Sequence, residues 1–175
     1  MSTARLEIIR ADITTLAVDA VVNAANRAPA AAGPVDRSSH RADGPSRAEP
    51  CRELRTTQLP DGLPTGDAVA TDAGDLPCRW VIHTVGPIWS GTVHDEQLLA
   101  SCYTRSLTLA ENLGAHSVAF PTISAGAYGC PMDVATRIAV RACGTFAADV
   151  VARVLLVAFN DDAARGYRAA LDEVE

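Results

Sequence analysis

The chain has 175 residues, 48% hydrophobic and 21% charged, enough for a single domain spanning 1–175 that hides roughly two thirds of its extended surface. Fifteen basic residues against 21 acidic ones give a formal charge of −6, and the basic residues form no runs, which argues against a scaffold for duplex DNA or RNA. All fifteen are arginine, so chemistry that needs a lysine nucleophile, a Schiff base or a phosphate-binding lysine is excluded.

In chain order, Leu6 to Arg10 reads as an early strand and Ala20-Val21-Val22 as a short buried one, joined through Thr15 to Asp19. From Val35 to about Arg55 the composition turns helical. Pro45 and Pro50 break that stretch, because proline removes a donor and clashes with the preceding turn, so two short helices are expected there. Gly66 to Thr71 and Trp80 to Val85 read as strands, the second closed by Gly86-Pro87. Apolar residues at helical spacing from Glu96 to Leu113 predict an amphipathic helix stopped by Gly114. Ser117 to Phe120 is a short buried strand, residues 121–129 a loop, and Met132 to about Ala148 a second amphipathic helix. Val154 to Phe159 is the strongest strand pattern, and Asp161 to Glu173 closes the chain as a helix. Alternation of strands and helices implies an α/β fold, a three-layer α/β/α sandwich around a mixed, largely parallel sheet.

The five cysteines lie at 51, 78, 102, 130 and 143, the nearest pair 13 residues apart, so metal or redox motifs of the CxxC kind are excluded. Reduced thiols in a cytoplasmic protein are the simplest account. The first residues run straight into a strand pattern without a signal segment, and no apolar run approaches the ~20 residues that span a bilayer. No cluster of potential ligands argues for a metal.

In a parallel sheet, ligands bind beyond the carboxyl ends of the strands, where loops and helix starts offer free backbone N–H groups. Two loops fit that place, 23–36 and 121–130. The second, Ser124-Ala125-Gly126-Ala127-Tyr128-Gly129, is small enough to close on an anion without lysine, though an ordinary strand-to-helix connection reads the same way. Each amide bond to a charged phosphate contributes about 1.5–3 kcal/mol, so a few of them with one stacked ring reach roughly −8 kcal/mol, micromolar affinity.

The runs Ala11-Asp12-Ile13-Thr14, Val18 to Asn26, Val35-Asp36 with His40, Val81 to Pro87, and Ala119-Phe120-Pro121 with Ser124 to Gly129 together resemble the macrodomain family, in its MacroD-like class. Asn26 precedes Asp36 by 10 residues and Asp36 precedes His40 by 4, as in that class, and the likeness extends from about Leu6 to Leu171.

The resemblance implies an ADP-ribose pocket and no cofactor. By similarity, Asp12 would accept from the adenine amino group with the Ile13 amide beside it, and Phe159 would lie against the adenine. Ser124, Ala125, Gly126, Ala127 and Tyr128 would wrap the pyrophosphate. Asn26 and Asp36 would flank the distal ribose with Val35 beside them, Asp36 activating a water, Asn26 fixing the ribose hydroxyls and His40 orienting Asp36. Each residue also has a plainer reading: Asp12 a turn or cap residue, Phe159 core, Asp36 a helix cap, His40 structural, as His83 in its strand is expected to be.

The implied activity is removal of mono-ADP-ribose from glutamate or aspartate side chains and deacetylation of O-acetyl-ADP-ribose. An acyl group leaves as a carboxylate whose acid has a pKa near ~4, so little protonation is needed and one base or water-orienting group suffices. The expected partners are ADP-ribose, mono-ADP-ribosylated proteins and O-acetyl-ADP-ribose, met by a monomer that binds no nucleic acid and no membrane. Between Asn26 and Val35 the chain reads Arg27-Ala28-Pro29-Ala30-Ala31-Ala32-Gly33-Pro34 where the family has a glycine-rich loop. Pro34 removes an N–H and fixes φ, and Arg37 replaces the glycine usual after the aspartate. Three roles stay open for Arg37, pairing with phosphate, neutralising Asp36 or blocking the ribose site, and a salt bridge to Asp36 would lower its pKa and weaken it as a base. That departure keeps two alternatives in view: a reader that binds ADP-ribose without cleaving it, and a degenerate domain kept for another nucleotide or as a scaffold.

Overall fold

The structure, a computed structural model, describes residues 2–25, 63–126 and 128–174. The expected pair of helices between Val35 and Arg55 lies outside the described residues.

The elements run β1 (Ser2–Thr3), β2 (Arg5–Arg10), a 3-10 turn (Ile13–Thr15), β3 (Ala20–Ala25), β4 (Ala68–Asp72), β5 (Trp80–Val85), α1 (Val93–Leu113), β6 (Ser117–Phe120), α2 (Met132–Thr145), β7 (Ala147–Ala148), β8 (Arg153–Ala158) and α3 (Asp161–Val174). Six strands form one sheet in the order β2-β8-β6-β3-β5-β4. All its neighbours are parallel except β4, which runs antiparallel to β5 at the edge. This is the expected mixed, largely parallel sheet of an α/β sandwich.

Alternation along each strand divides the core into two. Ala20, Val22, Ile82, Val118, Phe120, Val154 and Leu156 pack with the buried sides of α1, α2 and α3. The residues between them, Val21, Val81, Ala119, Leu155 and Val157, pack on the other face with Ile13, Val18, Leu76 and Cys78 from connecting segments. Strands apolar on both faces can only be central, which is why their sequences read as continuous apolar runs rather than alternating ones.

Local chemistry moves two helix boundaries from where spacing alone puts them. α1 starts three residues before Glu96 because Thr92 caps it: its hydroxyl accepts from the Asp95 N–H, and the Asp95 carboxylate accepts in return from the Thr92 and Ser90 N–H groups. It ends as expected at Gly114, which takes the left-handed conformation at φ 76°. α2 stops at Thr145 instead of Ala148, since Phe146 is extended and the next two residues pair with β1 as β7. At the crossing of α2 and α3, a Cβ on Gly166 would come within 2.7 Å of Thr136 Oγ1, so glycine sets how closely the two helices approach.

Candidate functional site

Five parallel strands, β2, β8, β6, β3 and β5, end at the same edge of the sheet, and the segments that follow them supply the candidate residues. After β2, Asp12 caps the 3-10 turn. Its Oδ1 accepts from the Thr14 N–H at 2.9 Å and the Thr14 hydroxyl at 2.7 Å, while Ile13 is buried beneath. After neighbouring β8 comes Phe159, a residue 66% exposed. It does not belong to the core, so the plainer reading of this residue does not hold. A large apolar ring left to solvent can lie against a flat ligand. Asn160 and Asp161 follow at once: the Asn160 side chain accepts from the Ala163 N–H, and Asp161 is paired with Arg10 at the end of β2.

After β6 comes the loop from Pro121 to Cys130, held from below by two wholly buried tyrosines. The Thr122 hydroxyl meets Tyr167 Oη at 2.8 Å, and the Ile123 N–H donates to Tyr103 Oη at 3.2 Å. Burial pushes both phenols above their ordinary pKa, so they stay neutral. Ser124 adopts φ 66°, the one positive value at a non-glycine position among the described residues. Ala125 is half-buried, Gly126 exposed and Tyr128 half-buried. Two short bonds close the loop, Cys130 N–H to the Ser124 carbonyl at 2.9 Å and Gly129 N–H to the Gly126 carbonyl at 3.0 Å. Ala127 lies outside the described residues.

After β5, Gly86 and Pro87 run against this loop: the Ser124 hydroxyl donates to the Pro87 carbonyl at 2.9 Å, and the Trp89 N–H donates to the Tyr128 carbonyl at 2.8 Å. The contact of Ser124 with Pro87 was not legible in the sequence, where Gly86-Pro87 marks only the end of a strand.

β3 leads toward Asn26, which with Val35, Asp36 and His40 lies outside the described residues. Beneath that exit sits a buried polar line. Asn23 Nδ2 is 3.1 Å from His83 Nδ1, and Thr71 Oγ1 is 2.9 Å from His83 Nε2. An amide nitrogen only donates, so with this orientation Nδ1 accepts and the ring proton is on Nε2. His83 thus ties β4, β5 and β3 together, the structural role expected of it.

Three of the buried thiols, Cys102, Cys130 and Cys143, are poor nucleophiles. Burial raises Cys102 and Cys130 to about 11 and Cys143 further, so all three are protonated at neutral pH. Among the described residues no three His, Cys, Asp or Glu side chains gather as a metal site, and no helix is long and apolar enough to cross a membrane. Neighbouring strand ends thus carry the Asp12 turn after β2, the exposed Phe159 after β8 and the loop with Ser124, Ala125 and Gly126 after β6.

The model of the Macro domain family matches residues 22–139. A macro-domain-containing protein of Streptomyces coelicolor is 51% identical, over 94% of this chain and 95% of its own. A protein of Escherichia fergusonii named O-acetyl-ADP-ribose deacetylase is 43% identical, over 97% of this chain and 96% of its own. Among solved structures, the Oceanobacillus iheyensis macrodomain with ADP superposes with a TM-score of 0.91 at 38% identity, covering 97% of this chain and 90% of that one. The Trypanosoma brucei macrodomain in complex with ADP-ribose superposes at 0.86 and 32% identity, covering 95% and 69%.

Proposed function

The chain belongs to the macrodomain family, and from that premise we propose that it binds ADP-ribose and hydrolyses ADP-ribosyl esters: mono-ADP-ribose on glutamate or aspartate side chains, and O-acetyl-ADP-ribose. The observation that carries the reading is that the exposed Phe159 and the Asp12 turn follow adjacent strands, with the Ser124 loop one strand further on. Adenine lies against Phe159, its amino group donates to Asp12, and the diphosphate rests on the backbone of residues 124–128. Stacking of one base on an aromatic ring is worth about 1–3 kcal/mol. Support for turnover comes from the relative named O-acetyl-ADP-ribose deacetylase. The protein acts as a cytoplasmic monomer.

For the ester of a protein side chain, water adds at the anomeric carbon, the bond to the acyl oxygen breaks, and the carboxylate leaves with the electron pair. Asp36 takes the proton of the attacking water, Asn26 holds the ribose hydroxyls and His40 orients Asp36. A carboxylate leaves without help from a general acid, which amine glycosides require, so acidic linkages are preferred.

The test is release of ADP-ribose from a glutamate-modified protein. Asp36→Ala should abolish release and leave ADP-ribose affinity within about threefold, as expected for a residue that acts on the attacking water. Unchanged turnover in that variant would sink the role given to Asp36. Pro34 and Arg37 favour a second reading, a module that binds without cleaving. Micromolar binding with no hydrolysis, and hydrolysis gained in a P34G/R37G double variant, would establish it.

A further inference from the structure

The bond between Ser124 and Pro87 gives Ser124 a role apart from touching a ligand. Its hydroxyl has one proton, and that proton is given to the Pro87 carbonyl at 2.9 Å, with the residue only 7% exposed. Its backbone is left-handed at φ 66°, where a side chain carries strain that glycine avoids. Such a conformation persists when its surroundings impose it. Here they do so on two sides: the carbonyl accepts from the Cys130 N–H, and the hydroxyl is anchored across the site.

The other partner of the contact is shaped for it. A Cβ placed on Gly86 would stand 2.3 Å from Ser124 Oγ and 2.7 Å from Ile123 Cγ2. No real Cβ occupies such a position, so only glycine lets the end of β5 come this close. A second tie, Trp89 N–H to the Tyr128 carbonyl, fastens the far end of the loop to the same segment. The loop from 123 to 129 and the segment from 86 to 89 are therefore fastened at two points.

We propose that Ser124 is a positioning residue whose buried hydroxyl, anchored on the Pro87 carbonyl, holds the left-handed turn that presents the following backbone to a diphosphate. Gly86 is the complementary half of the device. The proposal rests on the reading of the site as one for ADP-ribose. A turn that is already formed costs the ligand no ordering entropy, so the device acts on affinity for the diphosphate rather than on the adenine end.

Two substitutions separate this from direct contact. Ser124→Ala removes the anchor and keeps the strain, so the loop relaxes away from its turn. Ser124→Gly removes both anchor and strain, so the turn stays accessible. Calorimetry should show ADP-ribose affinity falling about tenfold for S124A and about threefold for S124G, with adenosine affinity within about twofold in both. Equal losses in the two variants would mean that the hydroxyl bonds the ligand itself, and would overturn the proposal. So would parallel losses of ADP-ribose and adenosine affinity together with Tm, the mark of general destabilisation. A wild-type chain that binds neither ligand would instead overturn the functional reading, and the ligand part of this proposal with it. The brace has its own readout without ligand: amide exchange at Cys130 should quicken in S124A, and unchanged exchange would refute it.

Discussion

The hydroxyl of Tyr167 stands 2.8 Å from Thr122 Oγ1, so a residue of the last helix holds the start of the loop that carries Ser124. The two are 45 residues apart, and the tyrosine is wholly buried. Removing the hydroxyl in Tyr167→Phe leaves the ring in place and deprives Thr122 of its partner. The cost should be about 1 kcal/mol, which lowers Tm by roughly 2–4 °C for a domain of this size. Thermal unfolding checks this, and an unchanged Tm would show that water replaces the phenol without penalty.

Phe159 is expected to behave in the opposite way. Its exposure means that Phe159→Ala loses little packing, so stability should stay within about 0.5 kcal/mol of the wild type. Affinity for ADP-ribose should fall by about 1–3 kcal/mol, roughly fivefold to over a hundredfold, because the stacked base loses its platform. Titration of ADP-ribose alongside a melting curve separates the two effects. A large drop in Tm with unchanged affinity would return Phe159 to the core.

Glu111, near the end of α1, supplies a pH dependence. Burial works against its charge, yet the N–H groups of Asp149, Val150 and Val151 all donate to its carboxylate and outweigh that effect, leaving its pKa lowered from 4.5. A carboxyl with a depressed folded pKa contributes stability that is complete above its unfolded pKa and is lost as pH falls through the folded value. Glu111→Gln should therefore lower Tm at pH 7, and the gap from the wild type should narrow as pH falls below 4.5 toward 3. A gap that is constant over that range would mean that the charge contributes nothing beyond the hydrogen bonds.

Much of the fold was legible because short-range rules act on it directly. β6 is legible with its observed bounds and β8 within a residue, since central strands apolar on both faces leave a continuous apolar run, and β2 at the sheet edge is legible within a residue from its Leu6, Ile8 and Ile9. The start of α1 was missed by three residues because apolar spacing does not register a cap, although Thr92 followed by Asp95 was the signal that could have revealed it. α2 was drawn too long because nothing near Ala147 announces that it pairs with Ser2 and Thr3 at the other end of the chain. For the candidate site, motifs alone single out Asp12, Ile13 and the Ser124 loop, whereas the core reading of Phe159 is removed only by its exposure in the fold.

What the sequence determined by itself was the alternation of strands and helices, the membership of a family signalled by several motifs in order, and the exclusion of lysine chemistry. These depend on local periodicity and on residue identity, which need no partner. The tertiary structure alone decided which distant groups meet: Ser124 with Pro87, Thr122 with Tyr167, Glu111 with the turn before β8, and His83 between Asn23 and Thr71. A hydrogen bond is set by distance and direction between two groups. Those are fixed only once the sheet order has brought together segments that the chain keeps far apart.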